Sequence, residues 1–145
     1  MKLPKLVGIN HVALEVGDID QALEFYSTIF DFKLRGKGSS SAFLDMGDQF
    51  LALSETTVTS EDSHRHFGMV VDDKEQVRKI LEQNKVEILG GPFLDFRDPW
   101  GNRIQVVDYR EIQFTKSDEV LRAMGLKNLK KSEQALNELK DKGMR

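Results

Sequence analysis

The chain contains no cysteine, which excludes disulfides, a thiolate nucleophile and any cysteine-ligated zinc site. Charge of one sign is also missing. The net charge of −3 and pI near 5.6 give no general attraction for nucleic acid or an anionic membrane surface. No apolar run approaches membrane-spanning length, and no hydrophobic stretch follows Met1-Lys2-Leu3-Pro4, so the expectation is a cytoplasmic protein. Several chemical templates are absent: a glycine-rich phosphate loop ahead of a helix, a dinucleotide fingerprint and a His-Glu-x-x-His pair. Ser39, Ser40 and Ser41 lack the context of a nucleophile elbow.

What is present is an ordinary globular composition, 39% hydrophobic and 31% charged over 145 residues, enough for one domain with a real core. It also contains a repeat. The stretch from His11 to Tyr26 overlays that from His66 to Leu81 without a gap, with His11/His66, Val16/Val71, Asp18/Asp73 and Gln21/Gln76 identical. Such self-similarity predicts a duplicated architecture. A histidine at the same place in both copies predicts a site.

Residues 9–16 alternate, with Val12, Leu14 and Val16 on one face and His11, Ala13 and Glu15 on the other, the pattern of a half-buried strand. Asp18 is placed to cap a helix carrying Ile19, Ala22, Leu23 and Tyr26. Strands follow at Phe32–Leu34, 42–46 and 50–54, around a Gly47-Asp48 turn. Residues 55–63 form a polar link. The second half repeats the order, with a strand at 65–71, a helix at 73–84 and strands at 86–89, 93–97 and 103–109. Each half is β-α-β-β-β, so the fold class is α+β, with eight strands available to wrap a cavity. Residues 113–145 lie outside the repeat as a helical extension; Ser132 is a candidate cap and Gly143 a candidate stop. The extension is expected to pack on the body, with a dimer contact or a lid as the sharper alternative.

The two histidine-led strands, Ile9-Asn10-His11-Val12-Ala13-Leu14-Glu15-Val16 among them, and the closing Asp98-Pro99-Trp100-Gly101-Asn102-Arg103-Ile104 together resemble the vicinal oxygen chelate superfamily. That superfamily comprises glyoxalases, fosfomycin-resistance thiol transferases, extradiol dioxygenases and bleomycin-resistance proteins. The resemblance implies two βαβββ modules, at about 7–55 and 64–110 of a 1–112 domain, forming an incomplete barrel. It implies a divalent metal, Zn, Ni, Mn or Fe, held by the first and last strands of each module. Carried over by position, the ligands are His11, His66 and Gln105, the last where Glu is usual. The equivalent place in module one falls near Ala52, which cannot ligate.

Imidazole suits these metals, whereas a carboxamide oxygen is a weaker and uncharged donor. Glu15 shares the His11 face and is a candidate catalytic base; Glu55, beyond the last-strand position, is the poorer one. His64 shares the face of His66 only if its strand extends that far back. Arg97 and Arg103 could bind an anion but are better read as rim ion pairs, and Arg35-Gly36-Lys37 as a solvated hairpin. Phe43, Phe50, Phe96, Trp100 and Tyr109 are core or pocket aromatics. Gly101 and Asn102 are assigned to a positive-φ turn.

The first expectation is therefore a metal-dependent lyase, thiol transferase or dioxygenase acting on a small molecule with vicinal oxygens. It would work as a homodimer, with modules pairing either within or between chains. The alternative is a metal-free small-molecule carrier of the bleomycin-resistance type, which the Ala52 and Gln105 departures favour and the histidine pair disfavours.

Overall fold

The computed structural model describes residues 2–3 and 9–144. Residues 7 and 8, where the first module begins on the sequence reading, lie outside them, as do Met1 and Pro4. The first module runs β1 (His11–Val16), α1 (Ile19–Ile29), β2 (Lys33–Lys37), β3 (Ser41–Asp45) and β4 (Phe50–Glu55). The second runs β5 (Phe67–Val71), α2 (Lys74–Gln83), β6 (Ile88–Leu89), β7 (Leu94–Arg97) and β8 (Arg103–Asp108). Each is a four-stranded mixed sheet, ordered β1-β4-β3-β2 and β5-β8-β7-β6, with the first strand parallel to the last. No closed barrel forms among the described residues.

Both helices start as the sequence predicts, since Asp18 accepts from Gln21 N–H and Asp73 from Gln76 N–H. They cover one face of each sheet and share a core. Leu14, Val16, Tyr26, Leu51 and Leu53 from module one pack with Met69, Leu81, Phe96, Ile104 and Val106 from module two. The other face of each strand, carrying His11, Ala13 and Glu15 in β1 and Gly68 in β5, is exposed. That alternation, buried toward the helices and open on the far side, positions the site.

The modules are joined by polar groups. The Asp98 carboxylate, 4% exposed, accepts from Tyr26 Oη (2.7 Å), Trp100 N, Asn102 N and Asn102 Nδ2. Burial and the adjacent carboxylate push the Tyr26 phenol well above its usual pKa, so it stays a donor. Asn102 Nδ2 also donates to Glu15 O at 2.8 Å. This corrects the sequence reading of the turn. Gly101 has φ +89°, but Asn102 is not in the positive-φ region; its side-chain amide is what the turn uses.

The C-terminal extension begins with a 3-10 turn at Tyr109–Glu111, followed by α3 (Asp118–Ala123) and α4 (Glu133–Asp141). Ser132 caps α4, and Gly143 ends it at φ +72°. Lys131 Nζ donates to Tyr109 O and Ile112 O, both at 2.7 Å, while lying 3.7 Å from the Tyr109 ring centre. Burial pushes its pKa down. From there α3 reaches module one: Lys116 pairs with Asp48, and Val120 and Met124 lie against Gly47. No helix among the described residues is long and apolar enough to cross a membrane.

Two predictions follow from these joints. A Cβ at Gly101 would stand 2.6 Å from the Glu61 Cα backbone atom, at a φ that L-residues avoid. Gly101→Ala is expected to destabilise the fold by about 2 kcal/mol or more in urea unfolding, and a loss under 0.5 kcal/mol would contradict this packing. The second concerns Asp108, 4% exposed, whose carboxylate takes Arg110 and Lys74 N and is held at about 2, below its ordinary 3.8, chiefly by the Arg110 hydrogen bonds. A depressed folded pKa gives stability that is complete above the unfolded value and lost as pH falls toward 2. Arg110→Ala should move that acid loss upward in pH, and unchanged acid unfolding would show the pair to be inert.

Candidate metal centre

The open face of module two carries two of the three predicted donors. Gly68 pairs with Gln105, and Phe67, one residue after His66, faces the core. His66 is exposed and immediately precedes the strand, two residues before Gly68, the partner of Gln105. The strand itself starts at Phe67, one residue later than His66. His64 thus falls in the loop, off the strand pattern. The late start has a local cause: His66 Nδ1 is bonded to His64 O at 2.8 Å, a tight chain turn that a strand would not allow.

His11 opens β1 on the other sheet. Its ring stacks on Phe50 at 4.7 Å and 9°, and Nδ1 meets Asn10 Oδ1 at 2.9 Å. Phe50 in turn takes Phe43 edge-on at 5.6 Å. Arg35 was missed as part of this cluster. It sits at the register shift between Leu34 and Gly36, and its guanidinium carbon lies 4.7 Å from the Phe50 ring centre. A bulge re-aims a side chain in this way, and nothing in the local sequence beyond Gly36 announces it. Arg35 makes no ion pair among the described residues, whereas Arg97 pairs with exposed Glu61 as a rim ion pair and Arg103 pairs with the buried Asp95.

The Glu15–Asn102 bond brings the end of β1 to the beginning of β8, level with His66, because Phe67 pairs with Ile104. His11 lies four residues back along β1, about 13 Å from Glu15. No group of three or more His, Cys, Asp or Glu among the described residues is placed to hold a metal ion. Glu15 is exposed on the His11 face and makes no ion pair there; Glu55 pairs across from Val16 at the strand end. Of the aromatics, Phe96 and Tyr109 are buried structure, and Trp100 lies against Gly17. Phe43 and Phe50 remain on the open face.

The register also equates the two modules. Ala13 pairs with Ala52 as Gly68 pairs with Gln105, so Ala52 and Gln105 occupy the same place in each copy. The residues match the model of the Glyoxalase/Bleomycin resistance protein/Dioxygenase superfamily over residues 8–106. The chain belongs to this superfamily. Among curated relatives, it is 34% identical over 96 residues to a metallothiol transferase FosB of Lysinibacillus sphaericus, covering 62% of this chain and 68% of that one. It is 26% identical over 116 residues to the metallothiol transferase FosB of Staphylococcus epidermidis, covering 70% and 82%. Among solved structures, the fosfomycin resistance protein FosX of Listeria monocytogenes superposes with a TM-score of 0.61 at 16% identity, covering 72% and 94%, which shows the shared glyoxalase fold.

Both histidines have the chemistry that a metal site needs. A backbone carbonyl only accepts, so the 2.8 Å contact to His64 O puts the proton of neutral His66 on Nδ1 and leaves Nε2 as a bare lone pair. Asn10 Oδ1 does the same for His11. Ligating histidines have their second nitrogen occupied in this way. In 15N-labelled protein above pH 8, His66 should show a protonated Nδ1 and an unprotonated Nε2 by long-range 1H–15N correlation. The opposite tautomer would remove this argument.

Proposed function

We propose that this superfamily member is a divalent-metal-dependent enzyme acting on a small molecule with adjacent oxygens, and that its metal site is completed across a homodimer. The observation that carries the reading is the pair of repeat-equivalent histidines, each with Nδ1 held by an acceptor and Nε2 free. The residues that would hold the ion are His66 and Gln105 of one protomer with His11 of the other. When bound, a divalent ion polarises neighbouring substrate oxygens as a Lewis acid. Zn, Ni, Mn and Fe all suit the donor set. Of the classes open to the superfamily, lyase, thiol transferase and dioxygenase, thiol transfer is favoured, because both curated relatives above are named metallothiol transferases. Those names favour an enzyme over a metal-free carrier.

The dimer explains two features of the single chain. It exposes 9985 Å², against about 7,600 Å² expected of a compact chain of this mass. The open faces carry Phe43, Phe50, Val70 and Val107, apolar groups that a second copy would cover. Across such an interface, the chain's own residues divide the work. Phe43 and Phe50 wall the cup against water, and the Arg35 guanidinium offers a charge to an anionic substrate group. The Glu15 carboxylate is the candidate to accept a proton from a substrate or thiol.

Metal content tests both halves of the proposal. The natural protein loaded with Zn(II), Mn(II) or Ni(II) should retain close to one ion per chain, and His11→Ala and His66→Ala should each lose it. Mixing the two variants after unfolding should restore about a quarter of the sites, because a two-fold heterodimer places both substitutions in one site and leaves the other intact. No recovery on mixing would place all the ligands in one chain. No metal in the natural protein would sink the enzyme reading.

A further inference from the structure

The glutamine in the ligand set poses an electrostatic problem, because two imidazoles and a carboxamide bring no negative charge to a dication. The structure holds a carboxylate beside that glutamine. Asp95 lies on β7 and is 3% exposed. Its neighbours Leu94 and Phe96 face the core, so Asp95 faces the other way, and the register pairs it directly with Gln105. Residues so paired project from the same face, with Cβ atoms roughly 5 Å apart.

The two oxygens of Asp95 are used unequally. Oδ2 accepts from Arg103 Nε at 2.8 Å and is ion-paired with Nη2 at 2.7 Å. Oδ1 is buried and has no partner, the one side-chain nitrogen or oxygen so left among the described residues. An orphaned buried acceptor is costly, and more so for a charged group. Arg103 is itself held at Ser63 O, 2.6 Å, so it fixes the carboxylate without serving the second oxygen. The Gln105 carboxamide, across the strand pair, makes no hydrogen bond among the described residues and has two donors to give.

We propose that Asp95 is the positioning residue of the metal site: Oδ1 accepts from Gln105 Nε2, which turns Gln105 Oε1 into the cup. The inference rests on the metal reading above and deepens it. A donated N–H fixes which end of the amide points outward, and it polarises the carbonyl toward the ion. The arrangement also accounts for glutamine at this position. A glutamate at 105 would set two carboxylates opposite each other on neighbouring strands, whereas Asp95 and Gln105 are complementary as acceptor and donor.

The test uses the whole protein and the metal ions alone. In the metal-free natural chain, the Gln105 side-chain amide should exchange its hydrogens slowly in 15N-labelled protein, a measurement that needs no variant. Calorimetric titration with Mn(II) or Zn(II) should then find Asp95→Asn weaker by 10- to 100-fold. The double variant Asp95→Asn/Gln105→Glu, which carries its charge on the ligand itself, should return to within a few-fold of the natural protein. A purely structural aspartate would not be rescued in this way. Fast-exchanging Gln105 hydrogens, unchanged affinity in Asp95→Asn, or a double variant as weak as the single would each overturn the proposal while leaving the metal reading standing. A natural chain that binds neither ion would remove the metal reading, and the role of Asp95 with it.

Discussion

The structure depends on one buried carboxylate. Asp98 holds the turn before β8 through Trp100 N, Asn102 N and Asn102 Nδ2, and it reaches the other module through Tyr26 on α1. A buried charge survives only when its lone pairs are taken up, and here four donors take them, one of them from the first half of the chain. The two modules share few covalent constraints, since a polar link of residues 55–63 is all that joins them. Their relative placement rests on this hydrogen-bonded joint and on the apolar layer between the helices. The Asn102–Glu15 bond extends the joint to β1.

Much of the fold was legible in the residues because its determinants are local. Alternation in 9–16, the aspartate cap at 18, and the Gly47 and Gly101 turns act over a few residues, and each appears where the sequence places it. The joint was not legible in the same way. Tyr26 and Asp98 are distant in sequence, and neither pattern nor propensity marks the pair. Asn102 shows how a local rule misleads: an Asn after Gly suggests positive φ, but the residue is retained for its amide. His66 shows the reverse: its side chain contacts His64 O, and the strand expected from 65 starts only at Phe67.

The candidate site was legible in its residue types but not in its geometry. The repeat singled out His11 and His66, yet the imidazole tautomers depend on Asn10 Oδ1 and His64 O, one contact to a neighbouring side chain and one to backbone. Arg35 escaped notice because a bulge, invisible to periodicity, moves it from a solvated hairpin onto Phe50. Asp95 escaped because an aspartate between Leu94 and Phe96 in a short strand looks like an ordinary polar alternation. Only register reveals that it faces Gln105.

The duplication gives the site a simple logic. A pseudo-two-fold relation between modules offers four equivalent places on the facing sheets: the first-strand pair His11 and His66, and the last-strand pair Ala52 and Gln105. Ala52 is 6% exposed and inert. Across the repeat, one last strand places Ala52 beside Phe43 and the other places Gln105 opposite Asp95 on β7. The electrostatics of that corner is shared by Asp95, Arg103 and Gln105 on adjacent strands, so a change of charge at any one of them falls on the other two.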